Sequence, residues 1–239
     1  MKKLFILVSV ALIGISSIAQ NEKDVSTSKE RNIKDFDKIE LSGAIDLLLV
    51  EGKDEKVVVS ASSEEYASKI KTEVQGNVLK IHYEDKSFWH SEKNGKMKAF
   101  VTFKSLKGLE VSGACSVKAK NITAKNLKIE LSGASSFDGN VSVGNAYLNL
   151  SGASSMHISG TATVLKIDAS GACNLKGYDL KADYCKLDAS GASDVRISVS
   201  KELSAEATGG SSVYYKGNCV VKESDASGGA SIKRKSDNE

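Results

Sequence analysis

The tripeptide Ser-Gly-Ala recurs along this chain at nearly constant spacing, and that spacing constrains the fold more than any other feature. It occupies residues 42–44, 112–114, 132–134, 151–153, 170–172 and 190–192, and degenerates to Thr-Gly-Gly at 208–210 and Ser-Gly-Gly at 227–229. From Gly113 onward the motif glycines follow one another at steps of 20, 19, 19, 20, 18 and 19 residues. A fixed step of this length is the signature of a stacked repeat architecture. Such a solenoid offers a partner a long surface before it offers a pocket.

The residues before each motif glycine alternate between apolar and polar, which predicts a β-strand with one buried face. Positions −6, −4 and −2 from the glycine are mostly apolar, and position +4 is apolar in every repeat. Glycine allows the tight bend that must follow such a strand. A coil of 18–20 residues that returns to the same position is one rung of a parallel β-helix. The sequence therefore predicts an all-β fold, a single-stranded parallel β-helix (solenoid).

The period is lost between Gly43 and Gly113, where we expect irregular lead-in rungs. The segment 38–44 repeats the sequence of 128–134 and therefore predicts an early rung. Further predicted elements are buried strands at 47–50, 57–59 and 97–103, a hairpin at 72–83 broken at Gly76-Asn77, and one short helix at 63–70 capped by Ser62 or Ser63.

These patterns predict a single β-helix domain over 35–232. It comprises the irregular lead-in at 35–110 and the regular Ser-Gly-Ala repeats at 111–232. Terminal repeats are often atypical because they cap the core. We expect a flexible segment at 20–34 and a polar tail at 233–239.

The N-terminal residues have the pattern of a cleavable export signal. Two lysines begin it, residues 4–15 are apolar and uncharged, and Ser17 and Ala19 put small side chains where a signal peptidase cuts. The apolar stretch is too short for a comfortable membrane span, and no second one follows. We therefore expect a signal peptide at 1–19 and an exported protein that does not span the membrane. Its expected location is the periplasm, the cell surface or the extracellular space.

Charge is nearly balanced, since 33 Lys and Arg, two of them in the expected signal, stand against 30 Asp and Glu. Proteins that bind nucleic acid show a basic footprint. We therefore expect no nucleic-acid partner.

The four cysteines, Cys115, Cys173, Cys185 and Cys219, could pair in an exported chain. Cys115 and Cys173 hold the same repeat position three rungs apart, which places them ~14 Å from each other, beyond the ~7 Å limit for a disulfide. The favoured interpretation is that the cysteines are small buried side chains of a packed ladder.

One outward position, −3 from the motif glycine, is acidic in all but one repeat. We call its residues the acidic column: Glu110, Glu130, Asn149, Asp168, Asp188, Glu206 and Asp225. Its members Glu110, Glu130, Asp168, Asp188 and Glu206 are candidate ligand-binding residues. Alternatives are a solvated face offset by lysines at position −5, a calcium site and a glycosidase pair. The carboxylate spacing of ~4.8 Å follows from stacking alone, so it is not specific, and we assign no metal site.

A second candidate binding feature is the aromatic pair Phe88 and Trp89 in a polar loop at 85–96. Aromatic loop residues are enriched at binding hot spots and can stack on sugars or cations. The alternative is that Trp89 packs down to cap the open end of the core.

Nothing in the sequence has the pattern of a catalytic centre. The motifs G-x-S-x-G and H-E-x-x-H and a phosphate loop do not occur, and the three histidines share no repeat position. A catalytic serine occurs once, beside a base, whereas the motif serine recurs in every rung and is better explained as a turn-former. We expect no enzyme activity, no catalytic residues and no cofactor.

These features together resemble a known family. The export signal, the stretch at 36–44, the helix–hairpin segment at 66–83 and the serial Ser-Gly-Ala-Ser turns resemble the "putative auto-transporter adhesin, head GIN domain" family of exported Bacteroidetes-type proteins over residues 35–232. The resemblance implies a right-handed parallel β-helix related in shape to pectin-lyase-like folds. It also implies a role in cell adhesion without catalytic residues.

The sequence thus predicts an exported, non-enzymatic binding protein that acts in cell-surface adhesion or envelope interaction through a β-helical surface. Its partner would be a surface glycan or a protein. The alternatives are a polysaccharide-acting enzyme of pectin-lyase-like shape and a structural envelope module that assembles with copies of itself as a homo-oligomer.

Overall fold

The computed structural model describes residues 27–84 and 96–236, which form one sheet wound into a parallel β-helix. The one helix of these ranges is α1 (Glu64–Lys69). The strands are β1 (Thr27–Arg31), β2 (Lys38–Leu41), β3 (Asp46–Glu51), β4 (Lys56–Ala61), β5 (Ile70–Gln75), β6 (Val78–Tyr83), β7 (Met97–Phe103), β8 (Gly108–Val111), β9 (Ser116–Leu131), β10 (Ser136–Leu150), β11 (Ser155–Ala169), β12 (Asn174–Ala189), β13 (Asp194–Ala207), β14 (Ser212–Lys216), β15 (Val220–Ala226) and β16 (Ser231–Arg234). No helix within these ranges is long and apolar enough to cross a bilayer.

The regular rungs are five long strands stacked in parallel in the order β9-β10-β11-β12-β13. Outside a few β-bulges, each residue pairs with its counterpart one repeat away, so that Leu148 of β10 lies beside Ile129 of β9 and Ile167 of β11. Because this register matches the sequence repeat, every column read from the sequence is a physical row of neighbouring side chains. The predicted all-β parallel solenoid with one short helix is confirmed.

The core consists of the apolar columns that the repeat predicts. At position +4 the side chains of the rungs from β9 to β14 are at most 2% exposed: Val117, Phe137, Met156, Leu175, Val195 and Val213. Leu127, Ile129 and Leu131 of β9 are equally buried, and their counterparts in later rungs continue the same rows. Burying one such side chain contributes about 1.5–3 kcal/mol, so these rows supply the main driving force of folding.

Buried serines close the Ser-Gly-Ala turns from inside, which accounts for the fourth residue of the motif. The hydroxyl of Ser135 donates to the carbonyl of Ser132 at 2.6 Å, and Ser154 donates to Ser151 at the same distance. Cys173 takes this place in its own rung, and its thiol donates to the carbonyl of Ser170 at 3.0 Å. A small donor therefore closes the turn in these rungs, and sulfur can replace oxygen there.

The cysteines lie where the packed-ladder interpretation puts them. Cys115, Cys173 and Cys185 are buried and Cys219 is half-buried, and all four are free thiols. Burial raises the pKa of the Cys115 thiol to about 11. Such thiols are protonated near neutral pH and pack as small apolar side chains.

The N-terminal end of the solenoid is covered by a lead-in of mixed strands. Strand β3 pairs in parallel with β9, while β4 and β1 add antiparallel strands beyond β7. The predicted helix and hairpin are present: Ser63 caps α1 by accepting from the Tyr66 amide, and β5 pairs antiparallel with β6. The buried strands predicted at 47–50, 57–59 and 97–103 are β3, β4 and β7.

One segment differs from its expectation. Of residues 20–34, expected to be flexible, 27–31 form strand β1 on the edge of β4. Side-chain contacts hold β1 in place. The Ser28 and Ser60 hydroxyls lie 3.0 Å apart, and Arg31 donates to the carbonyls of Ala67 and Ile70.

The C-terminal end has no comparable cover among the described residues. Strand β15 pairs with β13 and β16 pairs with β14, and each leaves its outer edge unpaired. Val220 and Val221 of β15 are 59% and 40% exposed. The two ends of the solenoid therefore differ: one carries antiparallel strands with α1 packed against them, and the other, which we call the open end, carries parallel strands with exposed valines.

Candidate binding faces of the solenoid

The acidic column is one continuous row. Register pairs Glu110 with Glu130, then Asn149, Asp168, Asp188, Glu206 and Asp225 in turn. Glu40 of β2 pairs with Glu110 and extends the row into the lead-in. The structure thus brings all five acidic candidates of the sequence onto one face, on neighbouring strands.

Only one end of the column is neutralised within the described residues. The Glu130 carboxylate accepts from Lys128 at 2.8 Å and from the Asn149 amide at 3.2 Å, and the bond to Lys128 lowers its pKa. Lys166 and Lys186 hold the equivalent −5 position, but no ion pair joins them to the acids described here. Asp168, Asp188 and Glu206 therefore stand beside one another as like charges.

The column has the geometry of a charged strip. Residues paired across parallel strands project side by side, ~4.8 Å apart, so their carboxylates do not converge on one point. Across residues 27–84 and 96–236, no group of three or more His, Cys, Asp or Glu is arranged to hold a metal ion. What the strip can do is attract a partner that carries several positive charges.

A second outward face lies beyond the Ser-Gly-Ala bend and has a different chemistry. It holds a shallow depression of about 320 Å³, which we call the tyrosine groove, lined by Tyr178, Arg196, Tyr214, Lys216 and Lys235. A neighbouring depression of about 270 Å³ shares Tyr178 and Arg196 and adds His157, Lys176 and Asp179. The two form one trough across the rungs from β11 to the segment after β16.

Inside the tyrosine groove, a positively charged side chain lies close to each tyrosine ring. The Lys216 ammonium lies 4.6 Å from the centre of the Tyr178 ring. The Arg196 guanidinium and the Lys235 ammonium lie 6.0 and 5.6 Å from the centre of the Tyr214 ring. Attraction between a cation and an aromatic face holds such side chains in place, so the groove presents ordered positive charge.

Three carboxylates moderate this charge. Asp194 pairs with Arg196 at 3.1 Å, Asp179 lies at the far end of the trough, and Asp138 lies 3.2 Å from the ring of His157. Against them stand Arg196, Lys216 and Lys235 in the groove and Lys176 next to it. Among the residues that line the trough, cations therefore outnumber carboxylates.

Tyr178 remains uncharged near neutral pH. Burial raises the pKa of Tyr178, and the nearby positive charges of Arg196 and Lys235 oppose this shift only in part. A protonated tyrosine supplies a flat apolar face and a hydroxyl that both donates and accepts. The groove thus combines aromatic faces, neutral hydroxyls and fixed cations.

Sequence reasoning missed this groove. Tyr178 lies in a β-bulge of β12, where the pairing with β13 shifts between Gly177 and Lys181. One sequence feature could have indicated the bulge: the step from Gly171 to Gly191 is 20 residues, longer than the repeat steps before and after it. Extra residues in a rung must bulge, and a bulge re-aims side chains.

The aromatic candidates Phe88 and Trp89 lie outside the described residues. Whether they bind a ligand or cap the core therefore stays a prediction. The same holds for the signal peptide at 1–19.

Comparison with known proteins agrees with this architecture. The sequence model of the family described as "Putative auto-transporter adhesin, head GIN domain" matches residues 35–219. No curated protein matches the chain.

Solved structures share the fold at low identity. A Bacteroides fragilis protein described as "a putative adhesin" is 20% identical, with a TM-score of 0.81 over 89% of this chain and 98% of its own. A Parabacteroides merdae protein, also "a putative adhesin", is 21% identical, with a TM-score of 0.68 over 89% and 96%. A Parabacteroides distasonis "putative lipid binding protein" is 20% identical, with a TM-score of 0.68 over 87% and 96%.

Proposed function

The chain belongs to the "Putative auto-transporter adhesin, head GIN domain" family, and from that membership we propose that it is an exported, non-enzymatic adhesin. It acts in the periplasm, at the cell surface or outside the cell, and it binds a surface glycan or protein through the outer face of its β-helix. The relatives of known structure that are described as adhesins support this proposal at the level of the family.

The observation that carries the proposal is the register of the outward columns. Strands β9 to β13 are hydrogen-bonded along most of their length, so each outward side chain has a fixed neighbour on the next rung. A partner meets a long surface that is already ordered. Pre-organisation of this kind lowers the entropic cost of binding, which suits a protein that must hold a large partner.

We further propose that Glu110, Glu130, Asp168, Asp188 and Glu206 form part of the contact surface. Like charges placed directly opposite on neighbouring strands destabilise a sheet, and Asp168, Asp188 and Glu206 have this arrangement. A partner with basic groups relieves that repulsion when it binds. The strip therefore favours cationic partners and steers them electrostatically.

Retention of the protein on an array of glycans and extracellular-matrix proteins tests the proposal. The expected result is binding to at least one arrayed ligand without product formation. A variant with Asp168→Asn, Asp188→Asn and Glu206→Gln should lose most of the binding to basic partners. The matched control removes three exposed acids elsewhere: Asp54→Asn, Glu64→Gln and Glu73→Gln.

The outcomes separate the alternatives. Release of sugar fragments from any arrayed glycan, abolished by one carboxylate variant, would replace adhesion with a polysaccharide-acting enzyme. Equal binding by the column variant and its control would remove the acidic column from the contact surface.

A second candidate function is self-assembly into an envelope structure, favoured by the open C-terminal end. The unpaired edges of β15 and β16 and the exposed Val220 and Val221 are the features that invite another chain. Light scattering over a hundredfold range of protein concentration tests it. A mass that rises with concentration, and falls to one chain in Val221→Lys, would support assembly; a constant single-chain mass would reject it.

A further inference from the structure

We propose that the tyrosine groove, lined by Tyr178, Arg196, Tyr214, Lys216 and Lys235, binds an anionic saccharide, that is, a sugar ring carrying a carboxylate or a sulfate. This inference rests on the proposed function of a non-enzymatic binding protein and assigns it a ligand class and a site. The site is separate from the acidic column, because it lies after the Ser-Gly-Ala bend rather than before it.

The lining residues match the two parts of such a ligand. Tyr178 and Tyr214 offer aromatic surface and neutral hydroxyls, which suit the apolar face and the hydroxyl groups of a sugar. Arg196, Lys216 and Lys235 offer positive charge for the acidic substituent. Arginine is the side chain whose planar fork fits a carboxylate or sulfate best.

The cations are positioned before any ligand arrives. Arg196 is held by Asp194 at 3.1 Å and lies over the Tyr214 ring, and Lys216 lies over the Tyr178 ring. The two ring contacts join side chains of different rungs, and the strands that carry them are fixed by ladder hydrogen bonds. A site whose side chains are already ordered loses little entropy on binding.

The size of the groove favours a sugar over a bare anion. Its volume of about 320 Å³ lies at the lower end of the ~300–1,000 Å³ range of small-molecule sites, far above the needs of one sulfate ion. The adjoining depression at Lys176 and Asp179 extends it along the rungs. A short oligosaccharide can therefore follow the trough across neighbouring rungs.

The lining also argues against a lipid. All five residues of the tyrosine groove are tyrosine, arginine or lysine, so the lining has no branched aliphatic side chain against which an acyl chain could pack. A lipid could place only its headgroup here. The aromatic pair would then have no role in binding.

The test is titration calorimetry of the mature protein at low salt with five probes. They are a galacturonic acid tetrasaccharide, a heparin-derived sulfated tetrasaccharide, neutral maltotetraose, inorganic sulfate and vesicles of phosphatidylglycerol. The expected result is that at least one acidic tetrasaccharide binds about tenfold or more tightly than maltotetraose and sulfate. Arg196→Gln and Tyr214→Leu should each weaken that binding about tenfold.

The matched control is Lys118→Gln. Lys118 is exposed and holds the same +5 position as Arg196, but it lies on β9, outside the trough. The Lys118→Gln variant should bind the acidic tetrasaccharide as tightly as the unmodified protein does. Thermal melts of all three variants identify any loss of fold, and Lys216→Gln provides a further probe of the groove should Tyr214→Leu unfold.

Three results would overturn the inference. Sulfate that binds as tightly as the acidic tetrasaccharides would leave only a simple anion site. Vesicle binding that depends on Arg196, without saccharide binding, would indicate a lipid surface. If Arg196→Gln and Lys118→Gln weaken saccharide binding equally, the attraction is diffuse electrostatics and not a defined site.

The same experiment distinguishes failure of this inference from failure of the proposed function. Adhesion on the array without tetrasaccharide binding would reject the ligand class alone. Cleavage of a bound tetrasaccharide would reject the non-enzymatic function while retaining the site.

Discussion

A methyl group added at Gly152 would lie 2.6 Å from the carbonyl oxygen of Gly133 on the preceding rung. That oxygen accepts the Ala153 amide at 2.8 Å, so the two turns are hydrogen-bonded to each other at this point. Gly152 also has a φ of +70°, in the left-handed region. Two constraints therefore act together on the motif glycine: its backbone conformation and the close approach of the next turn. Both recur at each motif glycine from Gly113 to Gly209, which is why the tripeptide repeats there, whereas Gly43 keeps only the positive φ.

The first prediction separates these two constraints. Gly76, in the β5–β6 turn, has a φ of +64° but nothing within 4 Å of an added methyl group. Gly76→Ala should therefore cost only the left-handed strain, about 1–2 kcal/mol. Gly152→Ala adds a backbone clash and should cost about 3–5 kcal/mol or prevent folding. Urea unfolding measures the free energy of unfolding of both variants. Equal losses would show that the close approach of the neighbouring turn is unimportant.

The second prediction concerns the buried donor that closes each turn. Ser154→Ala removes the 2.6 Å bond to the Ser151 carbonyl and should lower the free energy of unfolding by about 1–2 kcal/mol. Cys173→Ser should be neutral or stabilising, because oxygen restores the donor found in neighbouring rungs. Thermal melts of both variants measure this. A destabilised Cys173→Ser protein would show that the sulfur is needed for its volume instead.

The elements that repeat could be predicted from the sequence because one physical constraint recurs in each rung. The apolar rows, the glycine bends and the acidic column follow from the register alone, as Leu148 beside Ile129 illustrates. The helix and hairpin of the lead-in have local signals, the Ser63 cap and the Gly76-Asn77 turn. Such signals act within a few residues, so they need no knowledge of the fold.

The tyrosine groove could not be predicted in this way because it departs from the period. Tyr178 reaches the groove through a bulge, and its neighbours Lys216 and Lys235 belong to later rungs. The +5 column changes residue type at each rung, from Lys118 through Asp138 to Arg196. A column without a common residue type gives no pattern to detect. Pairing β1 with β4 likewise depends on tertiary contacts of Arg31 that no local signal encodes.

The third prediction concerns acid stability at the start of the solenoid. The Asp37 carboxylate accepts hydrogen bonds from Lys107 and Asn77, and the bond to Lys107 is the main cause that lowers its pKa from the ordinary value of 3.8. A lowered pKa adds stability that is present above the ordinary value and is lost as pH falls through the folded-state pKa. Asp37→Asn should therefore cost about 1–2 kcal/mol at pH 6.

This cost should shrink as the pH is lowered below 3.8. Urea unfolding between pH 2 and pH 7 measures it. The exposed Asp54 provides the control, since Asp54→Asn should change the free energy of unfolding little at pH 6. A cost for Asp37→Asn that is independent of pH would contradict the assigned role of the charge.

The fourth prediction uses opposite effects within the acidic column. Asp188 lies between Asp168 and Glu206, so Asp188→Asn removes repulsion on both sides and should stabilise the fold by about 0.2–1 kcal/mol. Glu130 instead pairs with Lys128, so Glu130→Gln should destabilise by about 0–1 kcal/mol. Both effects should diminish in high salt because salt screens exposed charges. Thermal melts at low and high salt measure them. If Asp188→Asn destabilises the protein as Glu130→Gln does, the charges of the column are compensated, and repulsion no longer supports its role as a contact surface.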